Sequence, residues 1–333
     1  MEHSVEKQFT KEMMNKILET YQLDSNFKKL GDFENYAFEV YQNGEAKILR
    51  VTHSSHRSQK ELESELDWIQ YLHGCGISIP AVFLSPNGKT VEAFEAEDSV
   101  FYACLFEKAP GNPVKVDDFS EKLFRIWGKV TGKMHRVTKN YQPGENIQPR
   151  SHWNGNDLLQ LEYYYPKEDK EALAAALKVI EEVEKLPRTI DSYGLLHTDI
   201  HSGNFFYDGE TIHIFDFDDA CYHYFASDIA IPLYYSTNSK HFYGTKEERN
   251  EFARGFLKAF LEGYREENTL SQDCLETIPL FLKQRDIELY AVFSKKVPIE
   301  DRNERIQHWI DEIKERIEKN EAIVDLDLSA NLI

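Results

Sequence analysis

The chain changes texture once, near residue 110, and that change points to a two-part architecture. Ahead of it lie short apolar runs separated by turn residues; behind it lie long stretches with helical periodicity. The break is Lys108-Ala109-Pro110-Gly111-Asn112-Pro113, where two prolines interrupt any helix or central strand. Upstream, Val5, Phe9, Met13, Ile17 and Tyr21 recur every four residues and predict an opening amphipathic helix. Strands are expected over 33–41 and 45–52, joined by Asn43-Gly44, a pair suited to a tight hairpin. Residues 57–73 read as a helix with Leu62, Leu66, Ile69 and Leu72 on one face, followed by strands over 79–84, 90–94 and 100–106. Downstream, helices are expected over 120–137, 156–164, 170–186, 226–235, 247–264, 274–290 and 301–320. Two short strands, 204–207 and 212–217, flank a turn at Asp208-Gly209. The expectation is an α+β chain with a small antiparallel-sheet lobe over 1–107 and a larger helical lobe over 108–333.

Lys and Arg total 39 and Asp and Glu total 58, so the formal charge is 39 − 58 = −19. A surface that acidic repels nucleic-acid phosphates and anionic membranes, and neither is an expected partner. The same field favours a cationic small molecule, although surplus carboxylates also serve simply as a solvated surface. Cys75, Cys104, Cys221 and Cys274 are too far apart for a zinc motif or a disulfide framework. The first twenty residues carry charges throughout, and no run reaches the roughly eighteen apolar residues of a membrane span. A cytoplasmic protein is expected.

The chemistry is concentrated in His197-Thr198-Asp199-Ile200-His201-Ser202-Gly203-Asn204 and in Ile212-His213-Ile214-Phe215-Asp216-Phe217-Asp218-Asp219. Asp199 and Asn204 lie five residues apart on a loop entering a strand, so one can face a reacting hydroxyl while the other reaches a metal. The Asp208-Gly209 turn folds the next strand back and brings Asp216 alongside Asn204. Mg²⁺ takes such hard oxygen donors, at about 2.0–2.1 Å. Phosphoryl transfer asks for little more than a carboxylate beside the accepting hydroxyl and a metal against the phosphates.

The pattern His-x-Asp-x-x-x-x-Asn, followed by a strand ending in Asp-Phe-Asp-Asp, resembles the aminoglycoside phosphotransferase and choline kinase family of protein-kinase-like small-molecule kinases. The resemblance implies a two-lobed protein-kinase-like fold with ATP in the cleft, Asp199 as catalytic base, and Asn204 and Asp216 as Mg²⁺ ligands. It also implies that Asp228 braces the loop through backbone hydrogen bonds and that His197 is a scaffold residue. Ala46-Lys47-Ile48-Leu49-Arg50-Val51 resembles the strand whose basic residue meets the ATP phosphates. Arg50 is assigned that task, with Lys47 on the opposite strand face as the alternative. Glu65 would orient Arg50, with Glu61 as its substitute. Leu105-Phe106-Glu107-Lys108-Ala109 resembles the adenine-binding hinge, with Glu107 and Ala109 as its contacts. Leu30-Gly31-Asp32-Phe33-Glu34-Asn35 stands where a phosphate-covering loop is expected, with Gly31 its lone glycine. Thr131-Gly132-Lys133-Met134-His135 resembles a Gly-x-x-x-His-like helix of the second lobe.

The expected activity is transfer of the ATP γ-phosphoryl group to a hydroxyl of a small metabolite. A pseudokinase or a protein Ser/Thr kinase of the same fold stands as the alternative. Phe215-Asp216-Phe217-Asp218 also resembles the nucleophile strand of haloacid-dehalogenase-like phosphatases, but that strand normally opens its domain. A metal hydrolase built on His197, Asp199, His201, His213 and Asp216 would leave the first lobe without a purpose. Tyr222, Tyr224, Phe225, Tyr234 and Tyr235, with Trp153 and Tyr163 to Tyr165 ahead of the segment, suit a cationic acceptor or, more simply, a core. The roles of His201, Asp218 and Asp219, the identity of the acceptor and the oligomeric state stay open.

Overall fold

The structure, a computed structural model, describes residues 3–32 and 34–328. The chain separates into two compact units. One comprises Met1–Gly111, Tyr141–Arg150 and His213–Asp218; the other comprises Asn112–Asn140, Ser151–Ile212 and Asp219–Ile333.

In the first unit, helices α1 (His3–Gln8) and α2 (Lys11–Thr20) precede strands β1 (Phe27–Gly31), β2 (Tyr36–Gln42) and β3 (Glu45–His53). Helix α3 (Gln59–Gly74) and strands β4 (Val82–Phe83), β5 (Glu92–Glu95) and β6 (Val100–Glu107) complete it. The antiparallel sheet runs β1-β2-β3-β6-β4, with β5 also paired to β6. Asn43 and Gly44 both take positive φ (53° and 83°), as a tight hairpin between right-twisted strands requires. Met14, Ile17 and Leu18 of α2 pack on Phe38, Val40, Leu49, Val51 and Phe101. Successive strand residues point to opposite faces, so the side chain of Arg50 leaves the face that Leu49 and Val51 bury. Helix α3 begins with a reciprocal cap: Ser58 accepts from the Glu61 N–H while the Glu61 carboxylate accepts from that of Ser58.

The opening segment is two helices rather than one. Thr10 is extended (φ −83°, ψ 166°) and its hydroxyl accepts from the Met13 N–H, restarting the helix there. The strand expected from residue 33 begins at Tyr36, and Phe33 lies outside the described residues. The strand expected over 79–84 contracts to β4, since Pro80 has no N–H to give the ladder. Strand β1 was not anticipated: it is an exposed edge strand, and Phe27-Lys28-Lys29-Leu30 shows no alternation.

The second unit contains β7 (Asn112–Pro113), α4 (Glu121–Thr138), α5 (Leu161–Tyr164), α6 (Lys170–Glu184), β8 (Tyr193–Leu196) and β9 (Phe205–Tyr207). Strand β10 (Ile212–Ile214) leads out of it, and β11 (Cys221–Tyr224) leads back to α7 (Ser227–Lys240) and α8 (Lys246–Tyr264). Helices α9 (Gln272–Leu275), α10 (Ile278–Lys296) and α11 (Glu304–Lys319) follow. Strands β8 and β11 form an antiparallel pair, as do β7 and β9. No helix among the described residues is long and apolar enough to cross a membrane.

Several expectations change here. Over 156–164, Asn156 caps a single 3-10 turn, and Gln160 (ψ 60°) confines the α-helix to four residues. The helix expected over 274–290 divides into α9 and α10, with Pro279 in the first turn of α10, where its missing N–H costs nothing. The strand expected over 212–217 stops at Ile214, because Asp216 turns to φ 66°.

Helices α4 and α8 meet backbone to backbone. A Cβ added at Gly128 would lie 1.8 Å from the Phe260 carbonyl oxygen, and one at Gly263 would lie 1.8 Å from that of Arg125. Trp127 and Phe124 pack beside the contact against Phe256, with ring centroids 5.8 and 4.5 Å away. Gly128→Ala must therefore push the helices apart and should cost about 3 kcal/mol of unfolding free energy. Gly255→Ala, with nothing within 4 Å, should instead gain up to about 1 kcal/mol from helix propensity. Urea midpoints decide; equal midpoints for the two variants would contradict the close approach.

Candidate active site

Strand β8 ends at Leu196 and delivers a closed loop. His197 is buried, and its Nδ1 accepts from the Asp199 N–H at 3.3 Å. Thr198 holds φ 65°, uncommon for a β-branched residue. Two bonds keep it there. Its N–H donates to Asp228 Oδ1 at 2.9 Å, and its hydroxyl donates to the Asp219 carbonyl at 2.8 Å. Asp228 is buried in the first turn of α7. Its other oxygen lies 3.3 Å from His135 Nε2, and His135 Nδ1 lies 2.8 Å from the Tyr264 hydroxyl. A carboxylate accepts only, so Nε2 donates to Asp228, and the Tyr264 hydroxyl beside Nδ1 accepts in turn from Asn268. The expected brace is thus present, and it is anchored in the α4–α8 pair.

Asn204 closes the loop. Its amide nitrogen donates to the Asp199 carbonyl (3.0 Å) and to Asp199 Oδ2 (3.1 Å), leaving its amide oxygen as a hard donor. His201 Nε2 lies 3.4 Å from the same Oδ2. Asp199 Oδ1 accepts from Arg285 Nη2 at 2.7 Å. Burial works against the charge on Asp199, but Arg285, His201 and His197 outweigh it and hold the carboxyl below its usual range. An ionised oxygen acceptor is what the proton of an attacking hydroxyl requires.

In the first unit, Arg50 and Glu65 form a fork: Nη1 to Oε1 and Nη2 to Oε2, both 2.7 Å. Both residues are buried. Burial disfavours the Arg50 charge, yet Glu65 more than offsets it and raises the guanidinium pKa. The pair uses two of the five N–H groups of the guanidinium. Lys47 lies instead over the Phe83 ring, 3.8 Å from its centroid, and Glu61 is taken up by the α3 cap.

Asp216 is exposed and follows β10 at positive φ. The next residues are clamped within the first unit. The Phe217 ring meets Trp68 of α3 edge-on at 5.5 Å. Asp218 accepts from His56 Nε2 (2.6 Å) and Arg57 Nε (3.4 Å), and its carbonyl accepts from Arg150 Nη2 (2.5 Å). Burial opposes the charge on Asp218, but His56 and Arg57 prevail and hold its carboxyl well below the usual range. Glu34, His56 and Asp218 bring possible ligand atoms within 4.8 Å of one another. Arg57 already neutralises that carboxylate, which disfavours a cation there. Asp218 therefore orients its segment, and Asp219 contributes its carbonyl to Thr198.

Gly31 ends β1 at a register irregularity, and a Cβ there would meet nothing. The Glu107 N–H is given to the Ala81 carbonyl at 2.9 Å, so it is not available to a ligand; Ala109 is buried. Arg285 and Glu288 have no counterpart in the sequence-based expectations, where Tyr235 appears only among the aromatics suited to a cationic acceptor or a core. Tyr235 sits on α7 and the other two on α10, 31 or more residues beyond Asn204, among ordinary helix positions.

A sequence profile described as APH, the phosphotransferase enzyme family, matches residues 27–269. Amicoumacin kinase of Bacillus subtilis (strain 168) is 34% identical over 304 residues, spanning 90% of this chain and 89% of that protein. A solved structure, amicoumacin kinase hAmiN in complex with AMP-PNP, Ca²⁺ and Ami, superposes with TM-score 0.93 at 34% identity, covering 98% of this chain and 99% of that one. A microcompartment-associated aminopropanol kinase superposes with TM-score 0.74 at 21% identity, over 93% and 98% of the two chains. Spectinomycin phosphotransferase, at TM-score 0.57 and 18% identity over 92% and 98%, shares the fold. That fold is the protein-kinase-like α+β fold.

Removing one partner of a buried ion pair strands the other charge, so Glu65→Ala should cost about 3–5 kcal/mol. Replacing both partners, Arg50→Met with Glu65→Leu, should recover most of it. Urea titration measures both, and a Glu65→Ala protein as stable as the parent would contradict the pairing.

Proposed function

Because the chain belongs to the phosphotransferase enzyme family and is a small-molecule kinase, we propose that it moves the γ-phosphoryl group of ATP to a hydroxyl of an amine-bearing small molecule. The observation that carries this is the Asp199–Asn204 loop: a half-buried carboxylate kept ionised and aimed by its neighbours, beside an amide oxygen free to face a cation. Asp199 accepts the hydrogen bond of the acceptor hydroxyl and takes its proton as the new P–O bond forms. Arg50, fixed by Glu65, donates its remaining N–H groups to phosphate oxygens. Glu107 through its carbonyl and Ala109 through its backbone border the adenine, and the segment at Gly31 lies over the phosphates.

Asn204 and Asp216 offer an amide oxygen and a carboxylate, a donor set that fits Mg²⁺. These two residues would hold the ion, whose charge offsets that of the β- and γ-phosphates. The Ca²⁺ and AMP-PNP of the related amicoumacin kinase complex support a divalent metal and an adenine nucleotide here as well.

For the acceptor, amicoumacin is the first candidate, on a relative that matches nine-tenths of the chain. Aminopropanol, the substrate named for a more distant structural neighbour, is an amino alcohol. A chain of formal charge −19 favours the approach of such cations.

The test is ADP release and product mass with amicoumacin, aminopropanol, choline and aminoglycosides. An amine-bearing acceptor should gain one phosphate. Asp199→Asn should lower kcat by about 10²–10⁴-fold while ATP still binds. An Asp199→Asn enzyme with parental kcat would refute the base assignment. Asp216→Ala should raise the Mg²⁺ concentration needed for half-maximal rate; an unchanged Mg²⁺ titration would remove Asp216 from the metal site.

A further inference from the structure

Asp199 is held in part by an element that the sequence motif does not contain. Its two oxygens have different keepers. Oδ2 is held from within the loop, by Asn204 at 3.1 Å and His201 at 3.4 Å. Oδ1 is met by Arg285 of α10, through Nη2 at 2.7 Å.

Arg285 is itself fixed on its remaining sides. Nη2 and Nε donate to the Tyr235 hydroxyl of α7 at 2.6 and 3.2 Å, and Nη1 donates to Glu288 one turn along α10 at 3.1 Å. Its guanidinium carbon lies 5.0 Å from the Tyr235 ring centroid, and that ring lies 4.9 Å from His201. Glu288 is held in turn by Gln284 at 2.9 Å. A guanidinium with partners on Nε and both Nη atoms cannot rotate without breaking several charge-assisted bonds.

We propose that Arg285, seated by Tyr235 and Glu288, is a positioning residue for the reaction: it fixes the side-chain rotation of Asp199 so that a remaining lone pair of Oδ1 faces the acceptor hydroxyl. A carboxylate oxygen has two lone pairs, and one bond to Arg285 leaves the second open. Without Arg285 the carboxylate keeps only its Oδ2 partners and can swing about them. Misplacing a reacting group by about 1 Å can cost about 10²-fold in rate. Charge alone does not suffice for this task, since a lysine ammonium cannot bond Asp199, Tyr235 and Glu288 in one plane.

The inference rests on the reading of Asp199 as base, and the experiment separates the two. Arg285→Gln, Arg285→Lys, Tyr235→Phe and Asp199→Asn are compared with the parent for kcat, for KM of ATP and for KM of the acceptor. The expected result is a kcat about 10²-fold lower in Arg285→Gln, with the KM for ATP unchanged. Arg285→Lys should recover part of the loss, and Tyr235→Phe should show a smaller fall in kcat. An Arg285→Gln enzyme with kcat at or above the parental value overturns the proposal, and a value above it would make Arg285 a brake that the acceptor displaces. A loss carried entirely by the acceptor KM also overturns it, making Arg285 a binding residue. If Asp199→Asn is inactive while Arg285→Gln is fully active, only this inference fails; an active Asp199→Asn fails both. Should Arg285→Gln not fold, Tyr235→Phe and Glu288→Gln keep both charges and carry the test, and parental kcat in both overturns it.

Discussion

The geometry of the loop depends on a single buried carboxylate. Thr198 is held at a positive φ that costs a non-glycine residue about 1–3 kcal/mol, and Asp228 compensates by accepting its N–H. That turn of the backbone aims Asp199 away from the strand that precedes it. Asp228 is in turn fixed by His135 and, through it, by Tyr264 and Asn268. His135 lies on α4 and Tyr264 on α8, the two helices whose backbones touch at Gly128 and Gly263. The small residues of a helix crossing are thus linked to the position of Asp199, the proposed base, through a relay of hydrogen bonds.

A shared device recurs in both units. Glu65 meets Arg50, Asp218 meets His56 and Arg57, and Asp199 meets Arg285. In each case a carboxylate withdrawn from water would be costly alone and is met by a basic side chain. This arrangement reconciles a strongly acidic chain with a polyanionic substrate. The net charge is a property of the surface, whereas the groups proposed to face phosphates are a few cations placed by buried partners.

Much of this was legible in the sequence because it is local. Asp199 and Asn204 are five residues apart, so spacing predicts their meeting, whereas the meeting of Arg50 with Glu65 was implied by the family resemblance, with Lys47 and Glu61 as alternatives. Helix and strand order followed from periodicity, including the positive-φ turn at Asn43-Gly44. What was hidden has a physical reason in each case. Strands β8 and β11 are four residues each, too short to show alternation, and they pair across an intervening segment that carries β9 and β10. The break at Thr10 depends on a side-chain cap that periodicity ignores. His56, Arg57 and Arg150 reach Asp218 from distant segments. Arg285 reads as one more polar position on a helix, and only the fold gives it Asp199 as a partner, 86 residues away.

The central proposal is that Asn204 and Asp216 would hold one divalent metal against the nucleotide, with Asp199 as base. Anomalous diffraction from crystals grown with Mn²⁺ and AMP-PNP, with manganese standing in for magnesium, tests it most directly. The account predicts a manganese peak bound to the Asn204 amide oxygen and the Asp216 carboxylate, in contact with the nucleotide phosphates. A peak on Glu34, His56 and Asp218 with none at Asn204 and Asp216 would contradict it.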